Sequence, residues 1–194
     1  MLTAEDRQRL LDLARQAVTL AAEDRPLPRL HLEEDEATPA LCEAGCAFVT
    51  LTRRDALRGC IGALEARQSL VADVWEHAYA AAREDPRFEP VRPDEVESLH
   101  IEISRLGPAA ALTVPAEQRP TALRPGIDGV ILRQGRLRAT FLPQVWDKVD
   151  DPVEFLDMLC DKAGLPRSAW RRSDVEVLVY QVESFEEEPR GQAA

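Results

Sequence analysis

Leu57-Arg58-Gly59-Cys60-Ile61-Gly62 sets a cysteine between two glycines inside a segment of strand character. Glycine weakens a strand interior, and two within four residues mark a place where another group must approach the backbone. The segment reads as the returning arm of a β-hairpin: 46–52 has a strand pattern, Arg53-Arg54-Asp55 supplies the turn, and 56–64 returns. Alternation along the arm puts Arg58, Cys60 and Gly62 on one face and Leu57, Gly59 and Ile61 on the other. The α-carbons of Arg58 and Cys60 then lie roughly 6–7 Å apart, so the guanidinium can bend toward the sulfur and favour the thiolate. Two readings stand at this point. Cys60 is an activated or ligand-contacting thiol, with Arg58, Gly59 and Gly62 lining the approach, or it is a small buried hydrophobe beside glycines that accommodate a packed helix.

Working outward, residues 3–22 predict an amphipathic helix capped by Thr3, with Leu10, Leu13, Ala14, Ala17, Val18 and Ala21 on one stripe. Pro26 and Pro28 stop it, and the acidic stretch 31–39 reads as an exposed loop or short irregular helix. A second helix runs from a Ser69 cap to about Arg83, and Asp85-Pro86 ends it, since the residue before proline avoids helical geometry. Pro93 to Ser98 is a helical turn, 99–106 alternates as a half-buried strand, and 107–125 reads as a connection between two halves. A second hairpin pairs 128–133 with 136–141 around Gln134-Gly135. Asp151-Pro152-Val153-Glu154 opens a further helix that Gly164 and Pro166 close, and 175–185 is one final strand. Hairpins with interspersed helices and no regular βαβ alternation predict an α+β fold with a mainly antiparallel sheet and flanking helices.

The 194 residues suffice for an ordinary core without disulfides, and the four cysteines form no CxxC pair. With no secretory pattern at the start, the expectation is a reducing, cytoplasmic setting. No apolar run reaches the roughly 18 residues of a membrane span. The net charge of −11 disfavours nucleic acid, whose affinity for proteins comes largely from cations on phosphates.

A nucleophilic cysteine ordinarily needs a base, and the three histidines, His31, His77 and His100, pair with none of the cysteines in the sequence. Glu65, Asp85, Glu102 and Asp128 are the carboxylates considered for acid–base or hydrogen-bonding work, Glu102 and Asp85 foremost as proton acceptors for Cys60. Thr140 and Gln144 flank Phe141-Leu142-Pro143 at a strand-to-turn corner, where polar groups either face a ligand or cap the turn. Cys42, Cys46 and His31 lack the second ligand pair of a structural zinc site, so no metal is expected, and the phosphate-loop, GxSxG and HExxH patterns are missing.

Taken together, the Cys60 segment, Asp85-Pro86-Arg87-Phe88, Ile101-Glu102-Ile103-Ser104, Pro125-Gly126-Ile127-Asp128-Gly129-Val130 and Ala139-Thr140-Phe141-Leu142-Pro143-Gln144-Val145-Trp146 resemble the AMMECR1 family. The resemblance covers about residues 5–187. It implies a single domain over 1–187, with two subdomains as an option; 188–194 falls outside it and is read as a flexible tail. A larger and a smaller portion would enclose a cleft near the RGCIG strand. It also implies partners, a Memo-like protein and a radical S-adenosylmethionine protein, as in the A component of the AmmeMemoRadiSam system. It names no cofactor and no reaction. Three functions follow as expectations: an enzyme component with Cys60 as nucleophile or covalent carrier, a non-catalytic module that binds a partner or small molecule, and, weakest, a nucleic-acid role.

Overall fold

The computed structural model describes residues 2–31 and 38–188, so the acidic stretch at 32–37 and the tail from 189 onward lie outside the described residues. The helices are α1 (Ala4–Ala22), α2 (Pro39–Cys42), α3 (Leu70–Arg83), α4 (Arg119–Ala122) and α5 (Pro152–Lys162). The strands are β1 (Ala44–Gly45), β2 (Ala47–Arg53), β3 (Ala56–Gly62), β4 (Gln68–Ser69), β5 (Leu99–Leu106), β6 (Ala110–Ala111), β7 (Gly129–Gln134), β8 (Leu137–Phe141), β9 (Glu176–Tyr180) and β10 (Val182–Glu186). The ladders of β2 with β3 and β5, and of β7 with β8 and β9, are antiparallel, and the fold is α+β as the sequence predicts. The chain divides into two compact units, one of Met1–Leu106 with Ser184–Ala194 and one of Gly107–Glu183.

In the first unit the sheet order is β10-β5-β2-β3. Val49, Leu51, Ile101 and Ile103 face a core shared with α1 and α3. The α1 stripe is buried as its spacing requires, from Leu10 to Ala21. Thr3 and Asp6 close a reciprocal capping box at its start, Asp6 serving where glutamate is commoner. The turn between β2 and β3 is tighter than three residues: Arg54 and Asp55 both take positive φ, 51° and 63°, and Arg53 pairs with Ala56. Two left-handed residues are the geometry of a two-residue hairpin turn, whose twist matches that of its strands.

The second unit holds the sheet β6-β9-β7-β8 over a core built on α5, whose Phe155, Leu156, Leu159 and Cys160 are buried. Trp146 stacks on Phe155 with ring centroids 3.7 Å apart and donates from Nε1 to the Asp128 carbonyl at 2.8 Å. Asp151 caps α5 through Val153 N–H at 2.8 Å, and Gly164 supplies the positive φ that ends it. The β7–β8 turn falls on Gly135 and Arg136, one residue later than predicted. The final strand is two strands in two sheets rather than one. The break is at Gln181, whose carbonyl turns aside to accept from Gly107 N–H.

Candidate functional site

Cys60 lies on the sheet face opposite α1 and α3. Thr50 stands between Cys60 and Glu102, paired with Cys60 on one side and Glu102 on the other. The Thr50 hydroxyl donates to Cys60 Sγ at 3.3 Å, and Ser104 Oγ donates to Glu102 at 3.1 Å and lies 3.0 Å from Ser184 Oγ. A row of polar groups therefore crosses four strands, with the thiol at one end. Thr50 was absent from the sequence-predicted set. Its signal was available, since a polar residue at the middle of an alternating β2 must share a face with its partners on β3 and β5.

Arg58 does not point at Cys60. The β2–β3 register slips between Leu51 and Thr52, pairing Leu51 with Gly59 and Thr52 with Leu57, so Arg58 is the extra residue of a β-bulge. A bulge breaks the alternation on which the shared face of Arg58 and Cys60 depended and re-aims the side chain. The guanidinium forks onto the buried Glu95, Nε to Oε1 at 3.1 Å and Nη2 to Oε2 at 3.0 Å, and reaches the carbonyls of Glu89 and Pro90. Arg53 adds a third cationic hydrogen bond to Glu95, and the Arg92 N–H a fourth contact. These bonds, led by Arg58, hold the Glu95 carboxyl down at about 2.

The cation beside the thiol is Arg87. It grips Asp85 through Nε at 2.9 Å and Nη2 at 2.6 Å, and Asp85 in turn accepts the Cys60 N–H at 2.9 Å. The Asp85 carboxyl, led by the Arg87 hydrogen bonds, sits far below the usual carboxylate range. A carboxylate so strongly stabilised as an anion is a very weak base, so Asp85 does not fit the predicted role of proton acceptor. The Cys60 thiol is pushed up, chiefly by burial. Thr50 and Arg87 pull it down, and the charges of Asp85 and Glu102 push it up again. An activated thiolate has the opposite shift.

The glycines are explained by the protein itself. A Cβ on Gly59 would lie 2.1 Å from the Ala81 carbonyl oxygen of α3, and one on Gly62 would meet Ala47 O and Phe48 at 2.5 Å. The group that comes close at Gly59 is a helix backbone, and at Gly62 the neighbouring strand. The predicted ligand-binding roles of Gly59 and Gly62 have no space behind them at the Cβ side.

The other candidates are dispersed. Thr140, in the second unit, donates to the Val130 carbonyl at 2.9 Å and meets Tyr180 OH at 2.8 Å, while Gln144 is exposed on the turn Pro143–Asp147. Asp128 is clasped by Arg124, and Glu65 by Arg67 at the surface. His77 Nδ1 faces the buried Asp73 carboxylate, which also accepts the Ala47 N–H. His100 meets Glu186. Cys42 is exposed, and Cys46 is buried with its thiol raised to about 11, mainly by burial. Among the described residues no group of three or more His, Cys, Asp or Glu is placed to hold a metal ion, and no helix is long and apolar enough to cross a membrane.

The motif residues and the fold can be set beside known proteins. The AMMECR1 family model matches residues 11–185. Protein TK0174 of Thermococcus kodakarensis is 40% identical over 194 aligned residues, covering 94% of this chain and 91% of its own. Protein Mbar_A1807 of Methanosarcina barkeri is 35% identical, with 99% and 96% covered. The crystal structure titled as an uncharacterized protein, PH0010, from Pyrococcus horikoshii superposes with a TM-score of 0.87 at 36% identity, covering 96% of this chain and 94% of that one. With a family model spanning both units and relatives matched nearly end to end, the chain belongs to the AMMECR1 family.

Proposed function

We propose that this chain is a non-catalytic binding module, and that the polar face of the first sheet, around Thr50, Cys60 and Glu102, is where it meets a small-molecule ligand or a partner. The partners we propose are a Memo-like protein and a radical S-adenosylmethionine protein, on the strength of the family resemblance. The observation that carries the non-catalytic reading is that the charges of the RGCIG and DPRF segments are already engaged by other groups of the protein. Arg58 is committed to Glu95 and two carbonyls, and Asp85 to Arg87 and the Cys60 amide. Burial meanwhile holds the thiol in its protonated, weakly nucleophilic form.

The enzyme reading keeps one point in its favour, the Arg87 charge beside the sulfur, but burial outweighs it. Iodoacetamide alkylation of Cys60, followed by peptide mass spectrometry across pH, separates the two readings. The binding-module reading expects a midpoint above the ordinary cysteine value of about 8.5, and a Cys60→Ser chain that keeps its affinity for partner proteins in pull-down. A midpoint well below 8.5, with affinity or turnover lost in Cys60→Ser, overturns it.

A further inference from the structure

We infer that Asp85 and Arg87 act as a false strand that seals the free edge of β3 and stops it from pairing with β3 of a second copy. β3 ends the sheet order β10-β5-β2-β3, so half of its backbone groups turn away from β2. An edge of this kind is a template for another chain unless it is shortened, charged, bent or covered. Cys60 turns both of its backbone groups outward. Its N–H donates to Asp85 Oδ2 at 2.9 Å, and its carbonyl accepts from Arg87 Nη2 at 3.3 Å, the donor and acceptor pattern a further strand would present. The two side chains are locked to each other at 2.6 Å, so the pair meets the strand as one unit. Asp85 is buried there while Arg87 stays half exposed.

The rest of the edge explains why a cover is needed. β3 carries neither lysine nor proline, its one charge, Arg58 at the bulge, is turned onto Glu95, and Leu57 is 42% exposed on it. The opposite edge, β10, carries Glu183 and Glu186, charges of the kind that guard an edge. The segment beyond the cap is fastened to β3 and α3 as well: Arg58 holds the carbonyls of Glu89 and Pro90, and Val91 N–H bonds the Ala82 carbonyl. The conjunction of the RGCIG and DPRF segments thus has a reason apart from catalysis, since one is the edge and the other its cover.

The test uses the full chain with Arg87→Ala, which removes the carbonyl donor and leaves Asp85, and with Asp85→Ala/Arg87→Ala, which removes both. Light scattering after gel filtration over a hundredfold concentration range reads the mass, and hydrogen exchange reads the Cys60 amide. The expected result is at least tenfold faster exchange at Cys60 in the double variant, association that grows with concentration, and a weaker mass shift in Arg87→Ala. Adding Leu57→Lys, a charge on the same edge, should return the double variant to the wild-type mass. A folded Arg87→Ala or double variant whose mass matches the wild type at every concentration overturns the inference. Association that persists after Leu57→Lys overturns it too, because the contact then lies elsewhere than this edge.

Discussion

Replacing Gly59 by alanine adds a single methyl group, and the structure says where it goes. The Cβ would stand 2.1 Å from the Ala81 carbonyl oxygen and 3.1 Å from its carbon. Carbon and oxygen at rest keep about 3.3–3.5 Å, so α3 must retreat from β3 by about 1.2–1.4 Å. The obstacle is backbone inside a helix and has no rotamer to escape into. Retreat would loosen contacts of Val74 and Ala78, both fully buried on that helix. Overpacking of this kind costs typically ~1–3 kcal/mol, and a rigid obstacle puts Gly59→Ala at the upper end. Gly59 has no positive φ to defend, so alanine returns about 0.4–1 kcal/mol by restricting the unfolded chain. The net loss is about 2–2.6 kcal/mol, which for a chain of this size lowers the melting temperature by about 4–10 °C. Thermal and urea denaturation followed by circular dichroism measure it. If Gly59 were instead kept clear for a ligand, Gly59→Ala would melt like the wild type and lose only binding. A variant within about 1 °C of the wild type refutes the packing argument.

Two further outcomes test the ion pairs. Glu95, held at about 2 against an ordinary 4.5, has a depressed folded value, so its contribution is full above 4.5 and is lost as the pH falls toward 2. The difference is worth on the order of 3 kcal/mol at most. Glu95→Gln should lose about 2–3 kcal/mol at pH 7 and show a shallower decline between pH 5 and 2 in urea titrations; an unchanged acid profile counts against the Arg58–Glu95 assignment. Arg15 on α1 bonds Glu187 and the carbonyls of Val96 and Leu99 with both partners nearly buried. Removing one member of a buried pair costs about 3–5 kcal/mol. Glu187 keeps the Ile101 N–H as a donor, so Arg15→Ala should fall near the lower figure, and a loss under about 1 kcal/mol in urea unfolding would contradict it.

What was legible in the sequence was what local rules govern. The α1 stripe, the Thr3, Ser69 and Asp151 caps and the Gly164 stop are each fixed by residues a few positions apart, and each stands where the pattern put it. What was not legible depended on partners distant in the chain. Arg58 has Glu95 as partner 37 residues away, and Cys60 has Asp85 25 residues away. Charged residues outnumber such pairings in a chain that is 30% charged, so composition cannot select among them. The split of 175–185 escaped for a related reason: its apolar run suits either sheet, and only the carbonyl of Gln181, bonded to Gly107, marks the change.

The bulge at Arg58 determines which face carries the thiol. From the turn, Arg53 pairs with Ala56 and Thr52 with Leu57. Had that register continued, Thr50 would oppose Gly59 and Val49 would oppose Cys60, and the thiol would join Val49 in the core against α1 and α3. A slip of one residue transfers every later side chain to the opposite face. The actual register sets Gly59 opposite Leu51, Cys60 opposite Thr50 and Ile61 opposite Val49. Glycine thereby meets the helix where a side chain would collide, isoleucine packs onto the core, and cysteine faces the polar row. A strand lacking Arg58 would make the same pairs with no bulge at all. The extra residue therefore contributes its own side chain, which holds Glu95, and the glycine after it, a recognised mark of bulges, was the one sign in the sequence that strict alternation would fail there.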